Sequence, residues 1–174
     1  MALRQRLPGN FEENGTASRI VVIGVGNLLL RDEGVGVHVA REIQKRPLPA
    51  EVEVYDGGVA GLGLLDYFPG ACKILLIDAV DMDLLPGDVV RFTPEEVRAR
   101  GNDLRFSLHD IGLLEVLELA RVLERHPPEV VIIGIQPKEI SWGTELTSEV
   151  QASVPKAVEA VWGEIHRTCP GAVR

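Results

Sequence analysis

Two adjacent acids, Asp32 and Glu33, follow the turn Gly24-Val-Gly-Asn27 at the end of an apolar run, and Asp56 and Asp78 stand at the ends of two later runs. One histidine, His109, opens a helical pattern in Ser107-Leu-His-Asp110. Carboxylates and an imidazole suit a divalent transition metal with open coordination positions. Each residue also has a plainer reading. Asp32 and Glu33 meet a helix start, where the macrodipole favours acids and Asp caps free amides. Asp56, before Gly57-Gly58, is a turn former. Asp78 closes the apolar run Ile74-Leu-Leu-Ile77, so it is a partly buried carboxylate that needs either donors or a cation. His109 is, on this plainer view, a helix-start residue.

The Gly24-x-Gly26 turn opens like a dinucleotide-binding fingerprint, but Leu29 stands where the third glycine belongs. The loop then offers two acids, which repel phosphate and attract cations. No Gly-x-Ser-x-Gly elbow, paired cysteines or His-Glu-x-x-His helix occurs. His38, His126 and His166 take no role. Asp81 and Asp83 read as solvated loop acids, and Trp142 reads as a packing residue rather than a cleft wall.

The elements that position these residues alternate in type. β-branched runs at 19–25, 51–55, 73–77 and 130–135 are expected as strands. Helical patterns fall at 34–45, 62–67, 110–124 and 148–166. Alternation of this kind calls for a parallel sheet with helices on both faces. The run 88–92 follows the preceding strand too closely for a parallel crossover, so it must be antiparallel or lie at an edge. Thr93-Pro-Glu-Glu96 then supplies a capping box with proline at the first helical position. The result is a five-stranded mixed sheet. Its four main strands, if parallel, deliver Asp32, Glu33, Asp56, Asp78 and Gln136-Pro137 to one carboxyl edge, where open α/β folds place their sites.

The chain has 174 residues, 45% hydrophobic, which fits one domain with an adequate core. Its net charge of −8, with no offsetting basic stretch, excludes a general nucleic-acid or anionic-membrane partner. No apolar run approaches the roughly 20 residues that span a bilayer, so no membrane insertion is expected. Residues 1–18 lack an apolar block and read as a flexible extension, followed by one domain over 19–168 and a short tail at 169–174. Cys72 and Cys169 lie in no paired motif and read as the free thiols of a cytoplasmic protein.

Five motifs, in order, resemble those of the nickel–iron hydrogenase maturation endopeptidases. They are Gly24-Val-Gly-Asn-Leu-Leu-Leu-Arg-Asp-Glu-Gly34, Asp56-Gly-Gly-Val-Ala-Gly61, Leu76-Ile-Asp-Ala79, Ser107-Leu-His-Asp-Ile-Gly-Leu113 and Gly134-Ile-Gln-Pro137. The resemblance covers about residues 19–166. It implies a three-layer α/β/α sandwich of the phosphorylase/hydrolase-like type, with strand order 2-1-3-5-4 and strand 4 antiparallel. It implies that Glu33, Asp78 and His109 form a metal-binding catalytic cleft, with Asp56 orienting loops and Asp32 capping the first helix. The implied reaction removes the C-terminal extension of a hydrogenase large-subunit precursor, with nickel supplied by that substrate rather than carried by the enzyme. Two other readings share these features: a non-catalytic chaperone of the nickel-loaded large subunit, and a germination- or sporulation-protease-like peptidase of the same fold class.

Overall fold

The structure, a computed structural model, describes residues 19–59, 61–100, 105–106 and 113–167. The expected flanks at 1–18 and 169–174 lie outside them, as does His109. Six strands form: β1 (Arg19–Val25), β2 (Val52–Gly58), β3 (Ala71–Asp81), β4 (Val89–Phe92), β5 (Arg105–Phe106) and β6 (Glu129–Ile135). The helices are α1 (Val35–Gln44), α2 (Pro94–Arg100), α3 (Leu113–Val122) and α4 (Ser148–Ile165), with 3₁₀ turns at Arg31–Gly34 and Gly61–Tyr67.

The main sheet runs β2-β1-β3-β6-β4. β1 pairs in parallel with β2 and β3, and β3 with β6, while β4 pairs antiparallel with β6. This is the expected 2-1-3-5-4 order of a five-stranded sheet. The addition is β5, a two-residue strand paired antiparallel with the end of β3. Two residues carry too little period-2 pattern to be seen in sequence. β4 meets both conditions set by its short approach, being antiparallel and at the edge.

Each central strand is a continuous apolar run because helices cover both faces of the sheet. Side chains then sort by parity. Ile20, Val22, Leu75, Ile77, Val131 and Ile133 join one core with α1 and α4. Val21, Ile23, Ile74, Leu76, Val130 and Ile132 join the other with the Gly61–Tyr67 turn, α2 and α3. The capping box forms as expected: the Thr93 amide donates to Glu96 Oε2 at 2.6 Å, and the Glu96 amide donates to Thr93 Oγ1 at 3.3 Å.

One expectation is overturned. Cys72 is disulfide-bonded rather than a free thiol; the chain's other cysteine, Cys169, lies outside the described residues. Spacing could not reveal this, because disulfide pairing depends on where the fold brings the chain. Lys73 lies in the expected apolar strand, but its own charge was given no role by the sequence. It is fully buried, with Nζ donating to the Glu164 carboxylate and backbone carbonyl, both at 2.9 Å.

Candidate functional site

The carboxyl edge is assembled by close backbone packing. A Cβ on Gly36 would stand 2.2 Å from the Ile77 carbonyl and 2.3 Å from that of Val25. The first turn of α1 therefore lies directly on the end of β1 and on β3 at Ile77. Gly26 has φ +135°, and a Cβ there would stand 1.9 Å from the Glu33 carbonyl. The Gly-x-Gly turn, read first as a phosphate cradle, instead lets the Glu33 turn fold back over the end of β1. Glu33 precedes Gly36 by three residues and Asp78 follows Ile77, so these contacts bring the turn bearing Glu33 to the stretch of β3 bearing Asp78. That stretch lies inside the strand rather than at its expected end, because β3 runs on to Asp81.

Both acids are fully withdrawn from solvent, Glu33 at 0% exposure and Asp78 at 1%. An apolar sheet edge does not bury carboxylates without a cause, because desolvating a charge costs several kcal/mol, of order, unless it is compensated. The third residue expected here, His109, lies outside the described residues. Among the described residues no group of three His, Cys, Asp or Glu side chains forms a metal cage.

Asp32 was expected to cap the first helix, and it does not. No side chain caps the 3₁₀ turn Arg31–Gly34 or α1. The carboxylate is fully buried and turned instead to the loop after β6. Its Oδ2 accepts from the amides of Lys138 and Glu139, each at 3.0 Å, and from the Thr147 hydroxyl at 2.8 Å. Its Oδ1 accepts from the Thr147 amide at 2.7 Å. Asp32 thus clips together both ends of the 138–147 loop and fastens them to the Glu33 turn. Arg31, next to it, takes the left-handed conformation at φ 48°, and its amide donates to the Gly143 carbonyl at 2.9 Å. A non-glycine residue in that region stores of order 1–3 kcal/mol and persists only where its surroundings enforce it. From the other side, Lys138 pairs with Glu149 at 2.5 Å and holds the Glu149 carboxyl at about 2.

Two other residues at this edge are structural. Asp56 makes the expected turn, accepting from the Gly58 amide at 3.1 Å, and pairs with Arg41 at 2.9 Å. Gln136, whose role the sequence left blank, braces the neighbouring turn. Its Oε1 accepts from the amides of Met82 at 2.7 Å and Leu84 at 3.2 Å.

A family model described as hydrogenase maturation protease matches residues 37–164 of this chain. The chain belongs to that family. It is 34% identical over 165 residues to the hydrogenase expression/formation protein HupD of Bradyrhizobium diazoefficiens, covering 90% of this chain and 84% of that one. It is 35% identical over 152 residues to the hydrogenase 2 maturation protease of Escherichia coli, covering 86% and 92%. Its fold matches the hydrogenase maturating endopeptidase HybD of E. coli with a TM-score of 0.76 at 34% identity, over 84% of this chain and 91% of that one. The HybD maturation protease of Thermococcus kodakarensis gives a TM-score of 0.71 at 31% identity, over 84% and 99%.

This hydrogenase maturation protease is an enzyme, and its carboxyl edge carries a feature suited to a protein substrate. Large exposed apolar side chains gather there: Leu29 after β1, Val59 and Leu62 after β2, Leu84 and Leu85 after β3, and Ile140 and Trp142 after β6. Among the described residues the other exposed large apolar side chains, Val122 and Leu123, sit at the end of α3. Trp142, expected to pack, is instead 81% exposed. The sequence signal was available, since a tryptophan between Ser141 and Gly143 in a loop has no periodic apolar neighbours to pack against.

Proposed function

We propose that this protease removes the C-terminal extension of a nickel–iron hydrogenase large-subunit precursor after nickel has been inserted, with Glu33, Asp78 and His109 forming the site that meets the metal-bearing segment. The burial of Glu33 and Asp78 at one strand edge in a protein of this family carries the reading. Two carboxylates and an imidazole are a donor set that fits a divalent transition metal. In this reading nickel belongs to the substrate, where it would polarise the scissile carbonyl or a bound water. The packing of Gly26 and Gly36 holds the backbone that carries Glu33 and Asp78, and in this reading one of the two carboxylates takes the proton from the attacking water. Such positioning is worth several kcal/mol of barrier, of order. In this reading the enzyme works in the cytoplasm, although the disulfide at Cys72 is of a kind rare in that compartment. Among the described residues no helix is long and apolar enough to cross a membrane.

The test is intact-mass spectrometry of a large-subunit precursor, nickel-loaded or metal-free, after incubation with the protein. Loss of a C-terminal peptide from the loaded form alone is expected. Glu33→Gln and His109→Ala are expected to abolish that loss while leaving the melting transition in place. Full activity in either variant would sink the site assignment, and binding of the loaded precursor without cleavage by the wild type would leave a chaperone.

A further inference from the structure

We infer that Leu29, Ile140 and Trp142 form a docking surface for an apolar segment of the large-subunit precursor, adjoining the scissile bond. The inference rests on the functional reading above and adds the surface by which the substrate protein is held.

The surface is built, not incidental. The loop after β1 and the loop after β6 pair as a short parallel ribbon, bridged at Leu30 and Gly143. The Gly143 amide donates to the Leu29 carbonyl and the Arg31 amide donates to the Gly143 carbonyl, both at 2.9 Å. This register sets Leu29 beside Trp142, with exposures of 54% and 81%, and Ile140, at 49%, two residues upstream. Single exposed apolar residues are ordinary, but a cluster at a site's rim marks a contact surface. Tryptophan at such a place is the residue type that most often dominates binding energy.

The position names the occupant. Leu29 is four residues from Glu33 on the same loop, and the Asp32 carboxylate locks the 138–147 loop to the turn that carries Glu33. The ribbon therefore flanks the turn that carries Glu33, and a polypeptide brought to Glu33 from that side would lie against the apolar surface. A standard stable interface buries about 800 Å² per partner. Three side chains fall far below that, which suits a substrate that is released after each turnover rather than a permanent second copy. The rim is also largely self-neutralised, with Lys138 on Glu149 and Arg31 beside Glu139. That leaves the apolar contact, rather than charge, to supply the attraction.

The experiment measures KM and kcat for processing of the nickel-loaded precursor by the full-length protein. Trp142→Ala is expected to raise KM about tenfold or more, with the loss in KM rather than kcat. Leu29→Ser should raise it less, and Trp142→Phe should recover most of the wild-type value. Val122→Ser, equally exposed but at the end of α3, should not change KM. An unchanged KM in Trp142→Ala, or a loss confined to kcat, overturns the inference while the wild type's cleavage keeps the functional reading intact. A Trp142→Ala variant that loses a dimer in sedimentation and keeps its KM assigns the surface to a second copy, and overturns it too. Failure of the wild type to cleave any loaded precursor fells both readings together. Thermal unfolding of each variant guards against misfolding, and the exposed position of Trp142 predicts an unchanged transition.

Discussion

The two ends of the central strand β3 bury charge in opposite ways. At the amino end, Lys73 is fully buried and its charge is consumed. Its Nζ meets Glu164 at 2.9 Å and Glu129 at 3.3 Å, and Glu164 also takes Arg91 at 2.9 Å and Arg167 at 3.1 Å. The network ties β3, β4 and β6 to the end of α4. At the carboxyl end the buried Asp32 is met by neutral donors, three amides and one hydroxyl. Amides and a hydroxyl fix the carboxylate by direction rather than by an opposing charge. The first arrangement builds a fold. The second holds two distant loops together.

Breaking the amino-end network should cost most in stability. Lys73→Ala is expected to lower the unfolding free energy by about 3–5 kcal/mol, because it leaves Glu164 buried with a partner missing. Urea denaturation reads this as a lower midpoint at unchanged slope. Replacing both partners, Lys73→Met with Glu164→Leu, should recover most of the loss, since a buried pair often exchanges for apolar packing at little net cost. If the double variant is as unstable as the single one, the network does more than satisfy itself.

Asp32→Asn sharpens the contrast at the other end. A carboxamide turns one acceptor into a donor facing the amides and hydroxyl that Asp32 now receives, so the expected loss is about 1–3 kcal/mol. Processing should weaken with it through a raised KM, because the 138–147 loop is released from the Glu33 turn. Unchanged stability would show that the loop holds its place without the clip.

The smallest effect is on pH dependence. Burial alone would raise the Glu164 carboxyl, but hydrogen bonds from Lys73 and Arg91 outweigh it and hold the group below its ordinary value of 4.5. A depressed carboxyl contributes its stabilisation in full above the unfolded pKa and loses it as pH falls through the folded one. Denaturation midpoints should therefore drop below about pH 4.5 in the wild type, and less steeply in Glu164→Gln. Parallel acid limbs would remove Glu164 from the account.

Much of this was legible in residues alone. The runs that became β1, β3 and β6 were nearly continuous and rich in β-branched residues, which is what a strand covered on both faces requires. The β2 run alternated with Glu51 and Glu53, as suits its half-buried edge position. The close approach of 88–92 demanded a strand that does not cross over in parallel, and Thr93 with Glu96 announced α2 by a local exchange of hydrogen bonds. Glu33 and Asp78 were nominated by their place at strand ends, and both lie buried at one edge. Asp32 was misread because the expectation was local. Its true partners, Lys138, Glu139 and Thr147, are more than a hundred residues away and are mostly backbone amides, which carry no sequence signature. Lys73 was hidden for a related reason: one lysine in an apolar run looks like a strand end until α4 brings Glu164 to it.

The sequence by itself determined the elements, their alternation and the acids placed after each strand, because those depend on periodicity and on turn chemistry within a few residues. Only the tertiary structure decided what those acids do. It spent Asp32 on holding a distant loop, paired Leu29's loop with Trp142's, and closed the Lys73 network with the last helix. Each outcome needed groups far apart in the chain to meet, and hydrogen bonds and ion pairs between such groups exist only once packing has fixed where the backbone runs.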